Sequence, residues 1–257
     1  MNILVLVKQI FDTEEKIVIE DGRIQEEGVE FILNPYDEYA VEEAVRIKEE
    51  QGAEVTVLTV GPDRSESVLR TALAMGADKG ILVELEEEDE EVDEYMLGKY
   101  IVAAIQGREY DLILGGNMAV DSGAGQVAIR VAEELKIPHV SAITELSIEE
   151  GIATMKRDVE GDEEVVEVQL PFLATAQQGL NEPRYPSLPG IMRAKKKPLE
   201  RLTVEDLELS KDALAVRTFV LDQYLPPKKQ AGRILKGEIE QQVQELVHLL
   251  RNEGKVV

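Results

Sequence analysis

Over the first 140 residues, short apolar and β-branched runs alternate with amphipathic stretches of helical length, and few folds accept that alternation. The runs at 3–7, 55–60, 80–85 and 112–114 predict strands; the stretches at 38–51, 65–75, 95–106 and 125–135 predict helices. Gly52 stands just past the first helix, where a left-handed cap is needed, Gly76 closes the second, and Asp37 is the expected N-cap of the first. Strands with a helix between them pair in parallel, through crossovers that lay the helices on the faces of the sheet. The expected class is α/β, with a mostly parallel, doubly wound sheet. Asp21-Gly22, between 16–20 and 23–25, is a hairpin signal.

The pattern changes after Pro138. Residues 143–146, 152–157, 164–170 and 172–176 are strand-like and follow one another through short turns, which predicts antiparallel strands at the edge of the parallel sheet or beside it. Pro183, Pro186 and Pro189 exclude a regular helix through 183–189. Residues 191–227 read as extended. A last helix is expected over 236–251, with Ile239, Val243, Leu246, Val247 and Leu250 on one stripe. The expected organisation is an α/β domain over 1–190 and a C-terminal arm over 191–257. The stripe needs a cover, either the same domain or a partner subunit.

Composition removes several functions. With 28 Lys and Arg against 52 Asp and Glu, the net charge of −24 leaves no basic footprint for nucleic acid or an anionic membrane. No Cys is present, which excludes disulfides, thiolate catalysis and Cys-ligated metal clusters. The two His, His139 and His248, are far apart in sequence, and no nucleophile, base and orienting group stand together. No apolar run reaches the roughly 20 residues of a membrane span. The N-terminus enters a strand directly, so a cytoplasmic protein is expected. Residues 84–94 are nearly all acidic but lack the spacing and turn glycine of a calcium loop; a solvated loop or helix start is expected there.

Two stretches carry candidate chemistry. The first is the loop from Gly115 through Gly116, Asn117, Met118, Ala119, Val120, Asp121, Ser122, Gly123, Ala124 and Gly125 to Gln126. It joins a strand to a helix at the carboxyl edge of the sheet, where doubly wound folds bind ligands. Its small residues and the helix N-terminus behind it suit a nucleotide phosphate; a glycine-rich turn with a helix cap explains it too. Leu6 to Lys8 and Thr59 to Gly61 are expected on the same edge, and Asn34 and Tyr36 are binding candidates before the first helix. The second stretch runs from Gln177 to Pro198. Leu180 or Tyr185 is a candidate apolar anchor for docking, and Arg193 with Lys195, Lys196 and Lys197 concentrates positive charge on an acidic chain; a rigid surface connector is the alternative. Arg157-Asp158 reads as a surface pair.

The segment Leu180-Asn181-Glu182-Pro183-Arg184-Tyr185-Pro186-Ser187-Leu188-Pro189-Gly190-Ile191-Met192-Arg193-Ala194-Lys195-Lys196-Lys197 resembles the signature of the electron-transfer flavoprotein beta subunit. Val7-Lys8-Gln9, Asn34-Pro35-Tyr36 before Glu42-Glu43-Ala44, and residues 69–78 (Leu-Arg-Thr-Ala-Leu-Ala-Met-Gly-Ala-Asp) look like that family in order and spacing. The resemblance implies a Rossmann-like, adenine-nucleotide-binding fold and a heterodimer with an alpha subunit that holds the redox-active FAD. This chain would form the base for the mobile FAD domain and take part in passing electrons from acyl-CoA dehydrogenases of fatty acid oxidation to a quinone oxidoreductase. It would hold AMP against Leu6, Asn34, Val60, Gly116 and the loop Asp121, Ser122, Gly123, Ala124, Gly125, Gln126 and Val127. Tyr36 would lie near the alpha-subunit flavin. Leu180, with Asn181, Glu182, Pro183, Arg184 and Tyr185, would belong to the dehydrogenase-recognition loop. Gly125 and Val127 resemble instead the electron-bifurcating branch, whose beta subunit holds a second FAD in place of AMP, whereas Gly123-Ala124 and Ala128-Ile129 depart from that branch. A stand-alone nucleotide-binding stress-type protein would share the fold, but the long arm with its apolar stripe argues against it.

Overall fold

Strands buried on both faces need apolar residues at every position, and the first strand supplies them: Ile3, Leu4 and Val5 are fully buried. The computed structural model describes residues 1–86, 92–210, 214–229 and 231–256; the middle of the acidic run, 87–91, lies outside the described residues. The elements in order are β1 (Asn2–Leu6), β2 (Gln9–Phe11), β3 (Ile19–Glu20), β4 (Arg23–Ile24), β5 (Phe31–Leu33), α1 (Pro35–Gln51), β6 (Glu54–Gly61), α2 (Glu66–Met75), β7 (Lys79–Glu84), α3 (Glu94–Ala104), β8 (Leu112–Gly116) and α4 (Val127–Leu135). Then come β9 (His139–Glu149), β10 (Ile152–Val159), β11 (Asp162–Gln169), β12 (Phe172–Ala176), α5 (Leu188–Ala194), β13 (Leu199–Thr203) and α6 (Ile239–Leu249).

Nine strands form one sheet in the order β11-β10-β9-β12-β8-β1-β6-β7-β13, parallel from β9 to β13, with β10 and β11 added as antiparallel strands. Side-chain alternation sorts the core into two layers. Ile3 and Val5 pack with Ala40, Val41, Leu69 and Leu73 of α1 and α2, whereas Leu4 and Leu6 pack with Tyr100, Ile101 and Val131 of α3 and α4. The α/β class with an antiparallel edge and a terminal helix is as the sequence predicts, and Gly52 takes the left-handed cap of α1 at φ 75°.

Several details differ. The run at 172–176, expected among the antiparallel strands, is parallel and sits inside the sheet between β8 and β9, where both faces of Phe172, Leu173 and Ala174 are covered. The expected extended region holds an edge strand, β13, parallel to β7. Helix α5 starts at Leu188 with Pro189 in its first turn, a position where proline's missing N–H costs nothing. The exclusion of helix therefore fails for 188 and 189. Arg157 pairs across the strands with Glu164 at 2.7 Å, and not with Asp158.

The chain forms two compact units. The first comprises Met1–Val18 and Gln25–Leu221, so it includes α5 and β13 and extends past the expected boundary at 190. The second comprises Ile19–Ile24 and Asp222–Val257. In it, β3 and β4 pair around Asp21-Gly22, and the Gln223 side chain accepts from the Ile24 amide at 3.0 Å. Helix α6 buries none of its side chains. Among the described residues, no helix is long and apolar enough to cross a membrane.

Candidate functional site

The chain leaves β1 toward β6 and β7 on one side and returns to β8 on the other. The loops that leave the carboxyl ends of β1 and β8 therefore diverge and open a crevice between them, the position where such sheets take ligands. A cleft of about 330 Å³ lies there. Leu6, Asn34, Val60, Gly116, Ser122, Ala124, Gly125, Gln126 and Val127 all line it, so nine of the residues singled out in the sequence converge. Asp121 and Gly123 stand in the same loop but outside the lining, and so does the half-buried Tyr36.

Asp37 organises this edge. Helix α1 begins at Pro35 with Asn34 as its N-cap residue, so Asp37 is not the cap but sits inside the first turn, buried. Its Oδ2 accepts from the Lys8 backbone N–H at 2.7 Å, and its Oδ1 accepts from the Gly116 N–H at 3.0 Å. Burial pushes its carboxyl up to about 7; hydrogen bonds from Asn34, Lys8 and Gly116 and the Lys8 charge work against that rise. The helix presses so close that a Cβ at position 116 would stand 2.3 Å from Asp37 Oδ1 and 2.7 Å from Tyr36 Cβ. Gly116 is therefore required by the helix behind it before any ligand is considered.

Asn34 is 1% exposed, and its amide spans the glycine-rich loop: Nδ2 donates to the Met118 carbonyl at 3.0 Å and Oδ1 accepts from the Val120 N–H at 3.1 Å. It positions the loop. Lys8 Nζ reaches across to Asp121 at 2.7 Å and, among the described residues, is the one cationic side chain lining the cleft. Helix α4 meets the cleft with Gln126, Val127 and Ala128. Its N-cap has no side-chain hydrogen bond, as in α1, α2 and α6, but those three carry acidic residues in their first turns and α4 does not; Asp93 caps α3 and Ser187 caps α5. The free N–H groups and positive dipole end of α4 thus face an open cleft, an arrangement suited to an anion.

The loop after β12 is fastened to α1. Arg184 grips Glu42 through Nε at 2.8 Å and Nη2 at 3.0 Å, and Glu49 through Nη1 at 2.6 Å. These hydrogen bonds, from Glu49 first and then Glu42, raise the Arg184 pKa, and the bond from Arg184 lowers that of Glu49. Asn181 donates to the Tyr39 carbonyl at 3.0 Å and to Glu43 at 2.9 Å. Leu180 is 8% exposed and belongs to the core. Its side chain packs against the fold of this chain, not out toward solvent where an anchor was expected. The apolar side chains this loop offers to solvent are Tyr185 at 96% and Leu188 at 80%, followed by Ile191 and Met192. Glu182 is exposed and Pro183 half-buried beside them. Within the basic turn Lys195 and Lys196 face solvent, while Lys197 Nζ donates to the Leu73 carbonyl at the end of α2.

Sequence reasoning missed the roles of Asp37 and of Lys8 as a cation at the cleft. The Asn34-Pro35 pair was the available signal: Asn at the cap and Pro at the first helical position place Asp37 inside the first turn.

Comparison with known proteins identifies relatives of this chain. A family model described as the electron transfer flavoprotein domain matches residues 21–207. The chain is 54% identical over 257 residues, the full length of both, to the electron transfer flavoprotein subunit beta of Bacillus subtilis (strain 168). It is 43% identical over 257 residues to the subunit of the same name from Syntrophomonas wolfei, covering all of this chain and 98% of the relative. It is 39% identical over 243 residues, 92% of each chain, to the caffeyl-CoA reductase-Etf complex subunit CarD of Acetobacterium woodii. With a family model over most of its length and full-length relatives of one name, the chain belongs to the electron transfer flavoprotein beta-subunit family.

Proposed function

We propose that this chain is the nucleotide-holding and partner-docking half of a heterodimeric electron carrier, with AMP in the cleft between β1 and β8. The observation that carries the reading is the uncapped N-terminus of α4 opening into a cleft that already holds the Lys8 ammonium. A phosphate placed there meets backbone donors and one cation, while Leu6, Leu58 and Val60 offer an apolar wall to a base. At about 330 Å³ the cleft is at the small end of the ~300–1,000 Å³ usual for ligand sites, which favours AMP over the much larger FAD. Asn34 and Asp37 shape the cleft through the loop and strand ends they hold.

FAD, held mainly by the alpha subunit, would supply the redox chemistry between acyl-CoA dehydrogenases and a quinone oxidoreductase. This chain's part is structural: the cleft edge and Tyr36 form the base for the FAD domain, and the second unit embraces the alpha subunit. The uncovered Tyr224, Leu225, Ile239, Val243, Leu246 and Val247 support that embrace, because such a stripe is stable in water only when another surface covers it. In the recognition loop Tyr185 and Leu188 replace Leu180 as the anchors.

Two experiments test the reading. AMP added to nucleotide-stripped heterodimer should raise its melting temperature by mass action; no rise at millimolar AMP counts against an AMP site. Leu188→Ala should slow reduction by an acyl-CoA dehydrogenase about tenfold with FAD content unchanged, as loss of a hot-spot side chain would. Unaltered kinetics would remove Leu188 from the docking surface. A second reading, a bifurcating subunit with its own FAD, draws support from the small Gly125 and Val127 and from the similarity to the reductase-Etf complex subunit.

A further inference from the structure

We propose that Asp37 is the positioning residue of the cleft: its two oxygens each accept one backbone N–H, from Lys8 after β1 and from Gly116 at the end of β8, and only the charged carboxylate holds both strand ends at once. The geometry is specific. The two amides come from the two strands that border the crevice, not from the helix that carries Asp37. The carboxylate is buried, so water does not replace either bond when it is lost. The same contact sets where Lys8 leaves β1, and hence where its ammonium stands against Asp121. At 116, the missing Cβ is what lets the carboxylate approach.

A carboxylate accepts both N–H bonds at full strength; a carboxylic acid keeps one strong acceptor, its carbonyl oxygen, while its hydroxyl oxygen accepts only weakly and brings a proton of its own. Protonation therefore loosens one strand end. Burial has moved the titration of this group to about 7, within the range where a protein is handled. The charged and titratable groups around it are Lys8 from β1, Asp121 from the loop after β8, Tyr36 and Glu38 on α1, and Glu94 of α3 on the cleft wall. Lys8 favours the carboxylate. Glu38 is itself raised by burial, so a pH effect is assigned to Asp37 only if it disappears with Asp37.

The consequence for ligand retention rests on the nucleotide reading above, whereas the tie between strand ends is a property of this chain. The test uses the intact heterodimer between pH 6 and 8.5. Hydrogen exchange of peptides that contain Lys8 and Gly116, corrected for the intrinsic pH dependence, should become about tenfold faster as the pH falls through 7, the effect of one lost hydrogen bond. Asp37→Asn, neutral at every pH, should exchange fast throughout and show no inflection; Asp37→Glu should restore one. Bound nucleotide, counted after gel filtration, should fall along the same curve in the unmodified protein. A flat exchange profile in the unmodified protein, or an inflection that survives in Asp37→Asn, would overturn the proposal. Should Asp37→Asn fail to fold, the unmodified profile decides alone. An inflection in exchange with no nucleotide at any pH would overturn the nucleotide reading and leave the role of Asp37 standing.

Discussion

At position 116 a single hydrogen in place of a methyl group decides whether a helix can dock against the sheet. Gly116→Ala would drive a Cβ into Asp37 Oδ1, and the helix or the strand end must give. We expect a loss of about 1–3 kcal/mol in chemical denaturation, with the cleft distorted; a fully stable variant would contradict the packing described. Leu180→Ala should cost about 2–5 kcal/mol, since it empties a core position, and leave docking kinetics unchanged once corrected for folded protein. Asp37 also gives stability a pH dependence. Its pKa is near 3.8 when unfolded and about 7 when folded, so the folded state binds the extra proton between those values. Its contribution to stability is full below about 3.8 and is lost as the pH rises through 7. Urea midpoints report global unfolding to a solvated carboxyl, so they should fall across that window in the unmodified protein and change less in Asp37→Asn; the local untying at the cleft runs the other way because the carboxyl stays buried and only its hydrogen bonds, which favour the charged form, are lost. At this scale the sequence singles out Asn34 but not its partners: its amide holds the Met118 carbonyl and the Val120 N–H, which only the folded loop supplies, and the residue also lines the cleft. Leu180 was read as an anchor because a leucine beside a proline-rich loop carries no sign of which way it points.

The central strands were legible because burial on both faces demands unbroken apolar runs, and the first two helices between them because their stops are marked by glycine. Strand direction was not legible: Phe172–Ala176 has the composition of any buried strand, and its parallel register depends on where β8 and β9 lie. Strand β13 escaped notice because an edge strand faces water, and Glu200 and Arg201 serve it through ion pairs with Arg108 and with Asp63 and Glu84. The loop after β12 is held as an element by Arg184. Arg184→Ala should leave the buried Glu42 without its partner, cost roughly 1–3 kcal/mol, and speed proteolysis of residues 181–187. Unchanged cleavage would mean that the prolines alone hold the loop.

For the molecule as a whole, the net charge of −24 and the uncovered stripe of α6 point the same way: a protein that keeps away from polyanions and carries apolar surface for a protein partner. In the reading proposed above, the cleft, the loop after β12 and the arm divide the work between holding a nucleotide, meeting a donor and holding the alpha subunit. The fold alone assigns none of these, since α/β sheets of this kind serve many functions. The assignment comes from the uncapped helix, the exposed Tyr185 and Leu188, and the family. The central claim is that the cleft holds AMP. It is tested by denaturing the purified heterodimer with its alpha subunit and counting the small molecules released, by chromatography and absorbance. One FAD and one AMP per heterodimer is the predicted result; two FAD and no AMP would contradict it and make the cleft the seat of a second flavin.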